Sequence, residues 1–148
     1  MIRGILGVAW AACLLAVGAT PGAGQAAKDS TRSTLDGVYT EAQAARGRDT
    51  FAGMCQSCHS PETHTGPAFL SSWSEQPLSV LFNYLRDMMP QTDPGTLSAR
   101  EYAQVLAFIL QMNGMPPGPR ELPADAAALK SIRFDTASTT HAKGGTKR

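Results

Sequence analysis

Cys55, Cys58 and His59 stand in the segment MCQSCHS (residues 54–60), two thiols three positions apart with an imidazole directly after the second. Three chemistries use such a set: a redox dithiol, half of a zinc site, or the C-x-x-C-H anchor of a c-type haem. A closed zinc site needs four ligands, and only His64 and His141 remain to complete it. His64 is too near His59 in sequence, and His141 falls in a polar stretch close to the C-terminus, so zinc is disfavoured. A dithiol gains reactivity at a helix N-terminus, whereas this pair follows a helical pattern, at the end where the macrodipole opposes a thiolate. The haem chemistry uses every residue. Thiols one helical turn apart reach the two vinyl groups of one porphyrin edge, and the next side chain is tethered beneath the iron. An iron held by His59 then needs a second ligand or an open site. Met88, Met89, Met112 and Met115 are the candidates, since Met1 lies in the leader and Met54 in the helix before the motif.

Three helices must position these groups. Thr40 and Gln43 form a T-x-x-Q capping box that opens a helix running into the motif, with Ala44, Gly47, Phe51 and Met54 at helical spacing. Pro77 suits the first position of a second helix, whose Leu78, Leu81, Phe82 and Leu85 share a face. Ser98 and Glu101 cap the third, with Tyr102, Val105, Leu106, Ile109 and Leu110 as its apolar face and Asn113-Gly114 as its stop. No strand-like alternation competes, so the fold class is all-α. Three such helices make a thin core, and a large apolar cofactor would fill the deficit. The stretch after Gly118 has room for one further short helix.

The ends of the 148-residue chain read differently. Arg3, the apolar run Gly4–Ala19 and small residues at Gly24 and Ala26 make residues 1–26 a signal peptide, cleaved near Ala26. Cys13 belongs to that apolar run, and the exported chain is expected to have no stable membrane insertion. Residues 27–39 read as a flexible leader, 40–134 as the folded domain and 135–148 as a disordered polar tail. Removing Arg3 leaves 12 basic residues against 12 acidic ones, which gives nucleic-acid binding no electrostatic support. Two cysteines remain after cleavage, too few for a disulfide scaffold.

Across about residues 38–134 the chain resembles class I c-type cytochromes, especially small bacterial domains associated with quinone-dependent alcohol dehydrogenases. The resemblance rests on AARGRDTFAGMCQSCH, TGPAFLSSW, LFNYLRDMMPQTDPGTLSAREYAQVLAFIL and NGMPPGPRELPADAAAL, in that order. It implies a cytochrome c fold with three main helices around one haem c, bound covalently through Cys55 and Cys58 and ligated by His59. It also implies Met89, in Met89-Pro90 ahead of the last helix, as the second iron ligand. Pro67 would accept the hydrogen bond of the His59 imidazole through its carbonyl, fixing the ring. Gly47 and Phe51 would meet Val105 and Phe108 where the first and last helices cross. Trp73 would cover the haem or hydrogen-bond a propionate, with a buried structural role as the equal alternative; Arg86 reads first as a solvated helix residue, with propionate pairing as the alternative; His64 reads as a surface residue. The loop from His59 to Pro67 is short for the family, which implies a more exposed haem edge. The implied function is periplasmic transfer of single electrons without bond-making catalysis, from a dehydrogenase to an oxidase or another cytochrome. The alternatives are a haem-bearing subunit of a dehydrogenase complex, and a five-coordinate haem that binds small ligands or peroxide.

Overall fold

The computed structural model describes residues 32–137. In chain order they form β1 (Arg32–Ser33), a 3-10 turn at Thr34–Asp36, α1 (Glu41–Met54), a second 3-10 turn at Pro61–His64, α2 (Gly66–Trp73), α3 (Leu78–Met88), α4 (Ala99–Met112), α5 (Ala126–Leu129) and β2 (Ile132–Arg133). The helices α1, α3 and α4 are the three expected from the sequence, and the fold is all-α. The strands, two residues each and parallel, form a clasp between the two ends of the described segment rather than a layer.

Local chemistry explains where the main helices begin and end. Thr40 accepts the Gln43 N–H at 3.1 Å and starts α1. The reciprocal half of the expected capping box is not made. Gln43 is buried, and its amide brackets Leu122 instead, donating to the carbonyl at 2.9 Å and accepting the N–H at 2.7 Å. A returning segment that lies over α1 leaves backbone groups that need partners, and Gln43 supplies both. Ser98 and Glu101 do make both halves of their box at the start of α4. Gly114, at φ +76°, follows the Asn113 cap at its end. Pro77 sits one position outside α3, whose Leu78, Leu81, Phe82 and Leu85 are buried as their spacing requires.

The core lies where α1 crosses α4. A Cβ on Gly47 would stand 1.8 Å from the Gln104 carbonyl oxygen, so only glycine allows this approach. One turn on, the Phe51 and Phe108 rings meet edge to face at 5.6 Å. The crossing expected at Gly47, Phe51, Val105 and Phe108 is the one found.

The ends depart from expectation. Residues 32–39, the described part of the expected flexible leader, belong to the body: Thr34, Val38 and Tyr39 are buried. Tyr39 donates its hydroxyl to the Met115 carbonyl at 2.6 Å, and its own carbonyl accepts the Gly118 N–H at 2.6 Å. Thr34 donates to the Asp135 carbonyl at 2.7 Å and accepts the Asp135 N–H at 2.9 Å. Asp135 and Thr136, assigned to the tail, are therefore buried as well. Both stretches are polar and lack periodicity, but each satisfies its polar groups on the other, a pairing local sequence does not display. The signal peptide, and the tail beyond residue 137, lie outside the described residues.

Candidate functional site

The end of α1 brings the motif to one place. Cys55 caps the helix, its N–H donating to the Phe51 carbonyl at 2.9 Å. The chain then wraps, with the Cys58 N–H at 3.1 Å and the His59 N–H at 2.9 Å both donating to the Cys55 carbonyl. Cys55, Cys58 and His59 thereby line a cavity of about 700 Å³. Phe51 from α1, Leu81 and Leu85 from α3, and Val105 and Ile109 from α4 provide its apolar walls. A cavity of this size, mostly apolar with a few polar groups, is the form taken by small-molecule and cofactor sites.

Met89 joins them from the end of α3, where its N–H donates to the Leu85 carbonyl at 3.0 Å. Of the four methionines weighed from the sequence, it alone lines the cavity. Met88 is 53% exposed, Met112 packs against the core from α4, and Met115 is buried beyond it. Met54, set aside because it precedes the motif, does reach the cavity beside Cys55.

Burial pushes the Cys55 thiol above its ordinary pKa, the wrong direction for a reactive dithiol. Among the described residues no group of three or more His, Cys, Asp or Glu side chains could hold a metal ion. Among the described residues no Asp, Glu, Lys or Arg lines the cavity; Ser72, Tyr84, Gln91 and Thr92 supply polar atoms instead. Arg86, which reads first as a solvated helix residue with propionate pairing as the alternative, is not among the lining residues. Its guanidinium is paired with Asp87 at 2.7 Å. Trp73 does line the cavity, with its ring 5.5 Å from that of Tyr84 and 6.2 Å from that of Phe69.

His64 is the residue most misjudged from sequence. It is a cavity residue, half-buried, with its ring edge-to-face on His59 at 5.3 Å and on Phe51 at 5.4 Å. Desolvation, and then the nearness of His59, hold its pKa below the ordinary value, while a backbone contact at Ser60 opposes them. The Pro61–His64 turn folds this side chain inward, and nothing in its spacing from His59 signals that. Pro67 is exposed in the first turn of α2 and is not on the cavity wall.

The helices, the cavity and its sulfur and imidazole donors can be set beside known proteins. Residues 42–109 match the family model described as Cytochrome C oxidase, cbb3-type, subunit III. The matched span runs from the first turn of α1 to the last turns of α4 and includes Cys55, Cys58, His59 and Met89.

Residues 42–109 are a cytochrome c domain.

A cytochrome c domain carries covalently bound haem c with its iron and serves electron transfer. The cavity residues fit that group: two cysteines on one turn, an adjacent imidazole, a thioether from a later element, and apolar walls between them. No curated protein and no solved structure matches the chain. Among the described residues no helix is long and apolar enough to cross a membrane.

Proposed function

We propose that this protein is a periplasmic monohaem cytochrome c that passes single electrons between redox partners. Cys55 and Cys58 would hold haem c through thioether bonds, and His59 and Met89 would ligate its iron. The observation that carries this reading is the meeting of Cys55, Cys58 and His59 with Met89, thirty residues further on, around one apolar cavity. Haem c supplies the one-electron couple, and the chain supplies orientation, exclusion of water and ligand field. A thioether is a soft, neutral donor, so the histidine–methionine pair favours ferrous iron and raises the reduction potential. Ligation by both His59 and Met89 would favour electron transfer over chemistry at the iron. Pro67 would act on His59 through its backbone carbonyl, a role supported by the family resemblance alone.

Export is proposed from Arg3, the apolar run Gly4–Ala19 and cleavage near Ala26, a few residues ahead of β1. The electron donor is proposed to be a dehydrogenase, quinone-dependent by resemblance, and the acceptor an oxidase or another cytochrome. A second reading, a haem-bearing subunit of a larger complex, is favoured by the matched family's name, which describes an oxidase subunit. Co-purification with a stoichiometric partner would select it over a free carrier.

The test is a spectrum of the purified protein. The ferric form should be low-spin with a weak near-infrared sulfur-to-iron charge-transfer band, and the ferrous form should bind carbon monoxide slowly. A high-spin ferric form that binds carbon monoxide at once when reduced would overturn the carrier function in favour of a ligand-binding haem.

A further inference from the structure

We infer that Tyr102 is the positioning residue for Met89: its hydroxyl fastens the loop that holds this methionine at the cavity. The inference rests on the reading of Met89 as an iron ligand. Tyr102 lies in the first turn of α4, its side chain buried. Its hydroxyl donates to the Met89 carbonyl at 2.6 Å and accepts the Gly95 N–H at 3.1 Å. One oxygen atom thus joins the end of α3 to the middle of the loop before α4.

That loop has little else to order it. Residues 91–96 are exposed, and two turn bonds, Asp93 N–H to the Pro90 carbonyl at 3.0 Å and Thr96 N–H to the Asp93 carbonyl at 3.3 Å, run within it. A segment with few buried contacts opens at low cost. A neutral thioether offers ferric iron a weak bond, so the fraction of time Met89 is in place depends on the backbone that carries it. The Tyr102 hydroxyl acts on that backbone at Met89 itself, while its ring is held by the core.

Tyr39 provides a matched comparison. It too is a buried tyrosine whose hydroxyl donates to a methionine carbonyl, that of Met115, at the same 2.6 Å. Met115 does not line the cavity. Tyr102→Phe and Tyr39→Phe therefore remove similar bonds, but only the first touches the ligand loop.

The experiment uses the exported haem-loaded protein. Wild type is read first, and absence of its near-infrared band would overturn the Met89 assignment and the role of Tyr102 with it. Given that band, Tyr102→Phe should bind carbon monoxide about tenfold faster in the ferrous state, as expected for the loss of one or two hydrogen bonds. It should also lose the ferric band at a lower temperature than helical circular dichroism is lost. Tyr39→Phe should keep both readouts at wild-type values. A Tyr102→Phe protein indistinguishable from wild type, or a Tyr39→Phe protein shifted equally, would overturn the role of Tyr102 while leaving Met89 as ligand. Should Tyr102→Phe fail to accumulate, hydrogen exchange on wild type reads the same tether. The Gly95 amide should exchange slowly in an otherwise open loop, and free exchange there would overturn the inference.

Discussion

Met89 and Met115 are both followed by proline, and both have a buried tyrosine hydroxyl on their carbonyl. Their side chains differ in surroundings: Met89 is on the cavity wall, while Met115 is 3% exposed in the core. Met89→Ala should therefore abolish the near-infrared band, open the iron to carbon monoxide and lower the reduction potential, since a ligand favouring ferrous iron is lost. Met115→Ala should keep the band and instead lower stability by about 2–5 kcal/mol, the range for truncating a buried large side chain. Spectra and thermal melts of the two variants check both outcomes; a band lost only in the Met115 variant would move the ligand assignment. Residues whose chemistry is fixed by near neighbours were legible at this scale. Cys55, Cys58 and His59 are one helical turn of sequence, and that turn alone brings them together. His64 reads from sequence as a surface residue and Tyr102 as part of an apolar helix face, because their further contacts depend on which loop or helix comes to face them.

At the scale of elements, the crossing of α1 and α4 carries the core and one wall of the cavity. The Gln104 carbonyl occupies the place a side chain on Gly47 would need. Gly47→Ala should force the helices apart and cost about 1–3 kcal/mol, the usual range for overpacking. For a domain of this size that corresponds to a fall in Tm of roughly 4–8 °C per kcal/mol. The same shift would disturb Phe51, so haem incorporation should fall with stability; a variant as stable as wild type would contradict the close approach. The three long helices were legible because apolar period and caps agree in each. The eight-residue α2 was not, since it opens on Gly66-Pro67, which reads as a turn, and runs too short for its Phe69, Leu70 and Trp73 to show a period. The two-residue strands have no period at all.

For the molecule as described, the two ends of the 32–137 segment close over the body. Thr34 and Asp135, Tyr39 and Gly118, and Gln43 and Leu122 are each joined by backbone or side-chain bonds across more than seventy residues. Of this belt, Thr34 and Tyr39 fall in the stretch read as leader and Asp135 in that read as tail, since such polar residues find partners only in the folded chain. It encloses a domain whose helices leave room for a cofactor, and haem c would complete the core there. Covalent attachment through Cys55 and Cys58 is the claim on which the rest depends. The most direct measurement is the intact mass of the denatured, acid-acetone-extracted protein after expression with periplasmic cytochrome maturation. One haem per chain should survive extraction, and replacing both Cys55 and Cys58 with alanine should abolish it. A wild-type chain that surrenders all its haem to the solvent would contradict the thioether anchor.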